Sequence, residues 1–274
     1  MAGSVPTLGR DVAGEVRAAL GHRAPDGAGP LPNYAIRYVY DSADRLLSTE
    51  EGPLNAWPID PNLPSQWLNF TISRRTDYSY DGQGRKIAES VGDGTVTAVG
   101  RYSYDALGRP VCTKVEMQGS ASNPNACTPG TPGSHGSDRV TMNKYDAAGR
   151  LEQSRKGVGT SFEQAYVTYG YTQNDKQEYV IDANGNRARM IYDGHDRLKQ
   201  WQFPSTSPVS GFNFANPDTA RASAGPVNTD DYEAYTYDPN GNRLTLRKRD
   251  GREIGYSYDP LNRMASKIVP NGCV

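Results

Sequence analysis

Apolar and polar residues alternate in short segments along most of this chain, and turn-forming residues separate the segments. In the segments 101–104, 235–237 and 256–258, tyrosines alternate with a small polar residue. A period of two places the tyrosines on one face of a β-strand and the polar residues on the other. Between the tyrosines at 80 and 104 the pattern predicts a strand at 86–91, a turn at 92–94 and a strand at 96–104. We therefore expect short strands joined by tight turns.

One six-residue motif, Tyr-Asp-x-x-(Gly/Asp/Asn)-Arg, recurs along the chain. Complete copies occupy residues 40–45, 80–85, 104–109, 145–150, 192–197 and 258–263. Copies with one extra residue occupy 181–187 and 237–243, and a degenerate copy starts at Tyr171. Motif tyrosines are 21 to 47 residues apart. This spacing indicates a repeat unit with inserts in the longer intervals.

The motif has the chemistry of a hairpin turn. Its fifth position is always Gly, Asp or Asn, the residues that tolerate left-handed backbone angles, so we predict positive φ at Gly84, Gly108 and Gly149. A type I turn followed by a left-handed residue closes the common three-residue hairpin with a bulge. In that register Asp pairs with Arg across the turn, worth about 0.2–1 kcal/mol, and Tyr40 faces Leu46. The motif predicts at least six hairpins.

The residues assigned to these structural turns share the motif positions Tyr, Asp, Gly and Arg. They are Tyr40, Asp41, Arg45, Tyr80, Asp81, Gly84, Arg85, Tyr104, Asp105, Gly108, Arg109, Tyr145, Asp146, Gly149, Arg150, Tyr192, Asp193, Arg197, Tyr237, Asp238, Gly241, Tyr258, Asp259 and Arg263.

The spacing also divides the chain into regions. Residues 1–32 are predicted to be a poorly ordered segment with at most one short helix at 11–20. Residues 33–270 are predicted to be one repeat region with loop inserts near 52–67, 118–138 and 204–231, which are rich in Pro, Gly, Ser and Asn. Residues 271–274 are interpreted as a truncated tail.

The amino-acid composition supports the predicted β-strands and argues against several classes of function. The chain has 18 Tyr against 5 Phe and 3 Trp, and tyrosine suits the half-buried surface of a sheet. Apolar residues make up only 36%, which leaves little material for a deep core. A formal net charge of −1 argues against a nucleic-acid partner, which a basic excess would indicate. No apolar run is long enough for a transmembrane helix, and no secretory signal is recognisable at the N-terminus.

The copies YDALGRP, YDAAGRL and YDPNGNRL resemble the RHS/YD-repeat family of bacterial toxin shells, insecticidal toxin-complex components and animal teneurins. The resemblance covers roughly residues 34–270. It implies a β-sheet ribbon that spirals into a hollow shell, which in toxin members encloses a C-terminal payload, and a secreted or surface-exposed protein. This chain has no match to the family's self-cleavage motif. The resemblance therefore implies an open part of a shell.

Other candidate chemistry is sparse. The histidines at 22, 135 and 195 are scattered without metal-ligand spacing, and the Asp-Asn-Gly stretches lack the later Glu of a calcium loop. Paired carboxylates could serve a glycosidase, but turn-closing Asp–Arg pairs explain all of them together. We predict no catalytic, cofactor-binding or metal-binding residue. Tyrosine-rich faces also suit sugar stacking, so a carbohydrate- or cell-surface-binding module remains the alternative.

Three cysteines add one candidate cross-link. Cys112 and Cys127 flank part of the 118–138 insert, and a disulfide there would hold a loop with few apolar anchors. Two unpaired thiols are the open alternative, and Cys273 has no evident partner.

The sequence as a whole favours a structural, encapsulating scaffold: a non-catalytic fragment of an RHS-repeat protein from a secreted or contact-dependent toxin or cell-surface system. Its expected partners are the remainder of a larger RHS protein or an encapsulated payload, with cell-surface glycans under the alternative. We expect a curved, open sheet that does not close on itself and that self-associates when expressed alone, because open strand edges pair with other chains.

Overall fold

The computed structural model describes residues 16–21, 33–54, 67, 70–93, 97–117 and 123–270. Within these residues the chain forms seventeen β-strands and one short α-helix. The predicted all-β fold is confirmed. No helix in the described part of the chain is long and apolar enough to cross a membrane.

The strands are short and follow one another closely along the chain. They are β1 (Val16–Gly21), β2 (Asn33–Tyr40), β3 (Leu46–Leu54), β4 (Arg74–Tyr80), β5 (Lys86–Gly92), β6 (Thr97–Tyr104), β7 (Pro110–Glu116), β8 (Arg139–Tyr145), β9 (Leu151–Lys156), β10 (Gln164–Tyr171), β11 (Gln177–Asp182), β12 (Arg187–Tyr192), β13 (Leu198–Pro204), β14 (Val227–Tyr237), β15 (Arg243–Arg247), β16 (Glu253–Tyr258) and β17 (Met264–Ile268). The helix α1 (Pro217–Ser223) lies between β13 and β14.

The chain divides into two compact units, which the sequence did not predict. The first contains residues 1–142 and 157–161, and the second contains residues 143–156 and 162–274. In the first unit, β1 to β8 pair in chain order, each antiparallel to the next. In the second unit, β9 to β17 do the same. Neighbours in sequence are thus neighbours in space, as expected for stacked hairpins.

The first unit buries one face of its sheet under its inserts. Along β3 every second residue is buried, including Glu50 and Leu54. Ala35 and Leu54 form an apolar cluster with Trp67, and the Phe70 ring packs edge-on against Trp67 with centroids 5.8 Å apart. Trp67 at the end of the 52–67 insert and Phe70 just after it therefore supply the aromatic part of this small core.

Gly52 makes the return of this insert to β3 feasible. A Cβ atom at Gly52 would lie 1.8 Å from the carbonyl oxygen of Thr71. The backbone N–H groups of Thr71 and Ser73 donate to the carbonyls of Pro53 and Glu51, at 3.0 and 2.8 Å. Because these bonds bring backbone against backbone, only glycine fits at this position.

The 204–231 insert of the second unit contains more regular structure than the predicted loop. Residues 217–223 form α1, and β14 already begins at Val227. The Asn216 side chain accepts a hydrogen bond from the backbone N–H of Thr219, and Pro217 occupies the first helical turn. This Asn-Pro start is a helix signal that the sequence contained and that the Pro- and Ser-rich surroundings obscured.

Two further regions differ from the sequence prediction. Residues 16–20, assigned above to a short helix, belong to β1, which pairs with β2 from Val16 opposite Val39 to Gly21 opposite Tyr34. The β2 edge offers unpaired backbone groups, and pairing with them overrides a weak local helix preference. Residues 52–54, assigned to a loop, complete β3. Residues 1–15, 22–32, 55–66, 68–69, 94–96, 118–122 and 271–274 lie outside the described residues.

Candidate functional site

The repeated turns are built around one aspartate each. In the 80–85 copy the backbone N–H of Asp81 donates to the carbonyl of Arg85 at 2.9 Å, and the N–H of Gly84 donates to the carbonyl of Asp81 at 3.0 Å. One carboxylate oxygen of Asp81 accepts from the backbone N–H groups of Gln83 and Arg85, both at 2.9 Å. The other accepts from the Arg85 Nε at 2.7 Å. The aspartate thus fixes both the turn and the arginine.

The same arrangement recurs at the other complete copies. The Asp–Arg ion pairs measure 2.6 to 2.7 Å and join Asp41 to Arg45, Asp105 to Arg109, Asp146 to Arg150, Asp193 to Arg197 and Asp259 to Arg263. In the two longer copies an asparagine replaces the arginine, with Asn186 bound to Asp182 and Asn242 bound to Asp238, both at 2.8 Å.

The fifth motif position has left-handed backbone angles throughout. Gly84, Gly108 and Gly149 have φ of +78°, +80° and +87°, as predicted, and Asp44 and Asn262 have +61° and +59°. The degenerate copy at Tyr171 closes the same turn, because the Thr172 N–H donates to the carbonyl of Lys176 at 2.8 Å. A further turn at 248–252 was missed by the sequence analysis, although its Asp-Gly pair marks it.

We expect Gly84→Val to lower the free energy of unfolding by about 1–3 kcal/mol, because a β-branched residue is strained at positive φ. Gly84→Asn should cost much less, since Asn262 adopts this conformation at the equivalent position. Thermal unfolding of both variants checks this, with Gly82→Val as control because a Cβ at Gly82 meets no atom within 4 Å. Equal losses for Gly82→Val and Gly84→Val would contradict the conformational explanation.

Successive turns are joined by a three-part contact, here called the joint. The guanidinium of Arg85 stacks over the ring of Tyr104 in the next turn, 4.8 Å from its centroid. The Arg85 Nη1 donates to the carbonyl of Asp105 at 3.2 Å. In return the Tyr104 hydroxyl donates to the carbonyl of Lys86 at 2.9 Å. The arginine therefore holds its own turn and the next one.

The complete joint is present in both units of the chain. The stacked pairs are Arg45 with Tyr80 at 5.2 Å, Arg85 with Tyr104 at 4.8 Å, Arg150 with Tyr171 at 4.6 Å and Arg197 with Tyr237 at 4.8 Å. The tyrosine hydroxyl bond alone recurs at Tyr192 and Tyr258, where Lys176 and Asn242 stand in place of the arginine. Burial raises the pKa of the Tyr80, Tyr171 and Tyr237 hydroxyls, which keeps these donors protonated.

These complete joints and the two partial ones share one strand register. The third residue after the last turn position pairs with the third residue before the next motif tyrosine. The pairs are Ser48 with Asp77, Ala88 with Arg101, Gln153 with Thr168, Tyr179 with Arg189, Gln200 with Ala234 and Thr245 with Gly255. The motif thus encodes the pairing of one hairpin with the next as well as its own turn.

The turn aspartates have lowered pKa values. For Asp193, partial burial alone would raise the pKa. Hydrogen bonds from Arg197 and from the His195 backbone, together with the positive charge of Arg197, outweigh burial and lower the pKa to about 2. For Asp41, Asp81 and Asp259 the largest effect is the backbone hydrogen bond from the turn arginine, which lowers the pKa. These carboxylates are therefore ionised in the folded turns.

We expect stability to fall as the pH drops from about 4 to about 2. A depressed folded-state pKa contributes stability above the unfolded pKa, and this contribution is lost as the pH falls through the folded value, about 2 for Asp193. The melting temperature measured from pH 7 to pH 2 should drop in this window. Asp193→Asn should show a lower melting temperature at pH 7 and a smaller drop. An unchanged profile in this variant would contradict the assignment.

A second cluster, in the first unit, was only partly visible in the sequence. Cys112 and Cys127 are joined by a disulfide with a Cα–Cα distance of 5.2 Å. Beside it the side chain of Lys114 is fully buried, 3.5 Å from Glu116 and 3.9 Å from Asp138. We call these five residues the insert clamp, because they hold residues 123–138 on the buried face of the sheet.

The Lys114 ammonium takes its hydrogen-bond partners from the insert itself. It donates to the carbonyls of Asn125 and Thr128, at 3.1 and 3.2 Å, and to that of Asn123. Asp138 accepts from the backbone N–H groups of Met117 and Gly130 at 2.9 and 2.8 Å. No local pattern identifies Lys114 in the sequence, since its partners are backbone carbonyls.

Arginines hold the insert of the second unit in a similar way. Arg155 donates to the carbonyl of Phe214 at 2.9 Å and lies over its ring. Arg221 of α1 donates to the carbonyl of Tyr169 and to Glu152, both at 3.0 Å, and Arg187 donates to the carbonyl of Arg221. In both units, cationic side chains thus hold an insert through its backbone carbonyls or those of the sheet, which suits a sheet with few apolar residues.

The remaining candidates lack convergent chemistry. His195 is an exposed turn residue whose backbone N–H donates to Asp193, and the His135 ring contacts Ser134 at 3.0 Å. In the described ranges no group of three or more His, Cys, Asp or Glu side chains could hold a metal ion. An open groove of about 420 Å³ lies between two successive turns of the second unit, lined by residues that include Glu178, Arg189 and Asp196.

Fold and turns together define a class: a repeat protein of antiparallel hairpins stacked through a recurring Tyr–Arg joint. The family model described as RHS Repeat matches residues 237–272. The prediction of RHS/YD repeats is thus confirmed at residues 237–272. No curated protein matches the sequence.

Several solved structures are similar to the chain at low identity. They include a crystal structure of TcdB2-TccC3 at 16% identity and a TM-score of 0.48, and the same complex without its hypervariable C-terminal region at 15% and 0.48. A Tc holotoxin pore from Photorhabdus luminescens matches at 16% and 0.47. Each match covers 92% of this chain and 12% of the other. The chain thus spans about an eighth of their length.

Proposed function

We propose that the chain is a structural scaffold. It forms part of the β-sheet shell of a larger RHS-repeat protein from a secreted or contact-dependent toxin or cell-surface system. Its role is to enclose a polypeptide payload, and it catalyses no reaction of its own. The observation that carries this proposal is the joint, which recurs at a constant register. A regular wall needs such a contact, because each repeat must present the same edge to the next.

The use of the charged side chains supports a structural role. Both carboxylate oxygens of a turn aspartate accept hydrogen bonds from its own turn. The arginine guanidinium donates to its own turn and to the next one. A general acid or base needs a carboxyl group that is free to exchange a proton with substrate. The low pKa of Asp193, about 2, instead fits a fixed structural anion.

The tyrosine rings favour the scaffold over the glycan-binding alternative. Sugar stacking needs an open aromatic face, whereas cations cover these rings. Lys86 lies 4.8 Å from the centroid of Tyr102, and Arg85 lies 4.8 Å from that of Tyr104. Arg247 and Arg243 cover Tyr232 and Tyr256 at 4.0 and 4.6 Å. The tyrosines therefore serve the packing of the sheet.

The disulfide supports a secreted or surface location. Disulfides persist in oxidising compartments and are rare where thiols are kept reduced. The bond between Cys112 and Cys127 stabilises an insert with little apolar packing, which suits a protein that works outside the reducing cytosol.

The test uses the complete natural polypeptide that contains this chain. Limited proteolysis should leave the segment C-terminal to the repeats protected while the wall is intact. Arg85→Ala combined with Tyr104→Phe removes one joint and should expose that segment to the protease. Arg74→Ala, on the exposed side chain of β4, is the matched control and should leave protection unchanged. A C-terminal segment that is cleaved equally in all three proteins would overturn the enclosing role.

A further inference from the structure

One pair of successive turns in the second unit has no arginine between its members, and the open groove described above lies there. The turn 171–176 ends in Lys176, and the next motif tyrosine at the same end of the sheet is Tyr192. The groove has a volume of about 420 Å³. Tyr192, Asp193 and Asp196 are among its lining residues, whereas Lys176 is not. In the described part of the chain no cationic side chain lies over the Tyr192 ring. The groove therefore lies where a complete joint holds a guanidinium.

The preceding joint shows how such groove residues hold a guanidinium. Arg150 lies over the Tyr171 ring, 4.6 Å from its centroid. Its Nη1 donates to the carbonyl of Thr172 at 3.4 Å and to the carboxylate of Asp175 at 2.5 Å. The ring, the carbonyl and the carboxylate belong to the first, second and fifth positions of one turn. The groove offers the same three groups from the same positions of the 192–197 turn.

The groove also contains one negative charge without a matching cation. The carboxylate of Glu178 and the guanidinium of Arg189 neutralise each other at 2.8 Å, and Asp193 is bound by the arginine of its own turn at 2.7 Å. Asp196 accepts a hydrogen bond from the neutral side-chain amide of Asn174 at 3.0 Å. It forms no ion pair with any residue that the structure describes. A ligand with one positive charge therefore suits this groove.

The tyrosine hydroxyls agree with this geometry. Burial raises the pKa of Tyr171 and Tyr237, and the positive charge of the arginine over each ring acts in the opposite direction. Burial also raises the pKa of Tyr192, but within the described ranges no cation opposes it there. The Tyr192 ring is thus the one part of this turn that still offers its face to a cation.

We propose that this groove binds the side chain of an arginine in a partner polypeptide. The guanidinium lies over the Tyr192 ring and donates to the Asp193 carbonyl and the Asp196 carboxylate. A planar guanidinium can stack through its face and donate from its edge at the same time, which a compact ammonium cannot do. Lys176 is consistent with this selectivity, because its ammonium belongs to the turn beside the groove and does not line it.

The charges favour an arginine within a polypeptide over free arginine. Free arginine carries an α-carboxylate as well, which would need a second cation in the groove. Arg189 lines the groove, but its guanidinium is already bound to Glu178. The binding does not depend on whether the sheet encloses a payload, so its test and the enclosure test succeed or fail separately.

Ligand-observed NMR titration of the full chain with two capped tripeptides, Gly-Arg-Gly and Gly-Lys-Gly, tests the proposal. The arginine peptide should bind roughly fivefold more tightly than the lysine peptide. Asp196→Asn should weaken its binding by about two- to fivefold, through the loss of one exposed ion pair. The turn itself is kept, because Asn262 adopts left-handed angles at the equivalent position. Asp44→Asn makes the same change in the 40–45 turn and should leave binding unchanged.

A second variant fills the groove from within the chain. Thr172→Asp combined with Lys176→Arg restores the Asp–Arg pair of a complete turn and places a guanidinium over Tyr192. This variant should bind no arginine peptide and should melt at a higher temperature than the natural chain, which shows that it is folded. Equal binding of the two tripeptides, no binding to the natural chain, or binding that persists in the filled variant would overturn the site. Tighter binding of free arginine than of the tripeptide would overturn the assignment to a polypeptide.

Discussion

Lys114→Met is expected to lower the free energy of unfolding of the first unit by about 3–5 kcal/mol, the usual cost of removing one partner from a buried charge pair. Methionine keeps most of the side-chain volume, so the loss measures the ammonium. Without it, the carbonyls of Asn125 and Thr128 lose their buried donor. The nearby carboxylates of Glu116 and Asp138 lose a neighbouring positive charge at the same time.

Chemical denaturation followed by circular dichroism measures this loss. Lys199→Met is the matched control, since Lys199 lies on β13 with an exposed side chain and its replacement should change stability by less than about 0.5 kcal/mol. Limited proteolysis adds a local readout, because the insert clamp holds residues 123–138. If Lys114→Met were as stable as Lys199→Met, the ammonium would not be the centre of the clamp.

The second large effect is expected from the disulfide. Replacing Cys112 and Cys127 by serine should destabilise the first unit by about 3 kcal/mol, because the bond closes a loop with a sequence separation of 15 and restricts the unfolded chain. A reducing agent should lower the melting temperature of the natural protein to that of the double variant. The same agent should leave the double variant unchanged, which separates the disulfide from other effects of reduction.

The two effects should not add, because the disulfide and Lys114 hold the same insert. Once the disulfide is absent, the 123–138 segment opens more readily and the ammonium has less structure to stabilise. The triple variant should therefore lose less than the sum of the separate losses, by roughly 0.5–3 kcal/mol. Strict additivity would show that the two contacts hold separate segments.

The sequence by itself determined the hairpin repeat. Asp at the second motif position and Gly, Asp or Asn at the fifth specify a turn through contacts within six residues. Asp81 and Gly84 needed no distant partner to be recognised. Alternation of tyrosine with small polar residues predicted the strands for the same reason, because strand periodicity is a local property. The fold class and the positive φ angles followed from such local rules.

Only the tertiary structure decided what each motif residue does beyond its own turn. Sequence reasoning paired Arg85 with Asp81, but its stacking on Tyr104 depends on which strand lies next and in what register. The inserts were also predicted only by composition. Lys114 holds one of them through backbone carbonyls that are present at every residue, so no side-chain pattern marks the contact.

Long-range contacts also explain why two elements were assigned wrongly from the sequence. Residues 16–20 have a weak local preference for helix, and pairing with the β2 edge gives their backbone groups hydrogen-bond partners as a strand. The helix α1 forms inside a Pro- and Ser-rich insert because Asn216 caps it and Arg187 binds its last carbonyls. Local chemistry therefore determined the repeating hairpins, whereas long-range contacts decided the edges, the inserts and the joints, since these depend on residues far apart in the chain.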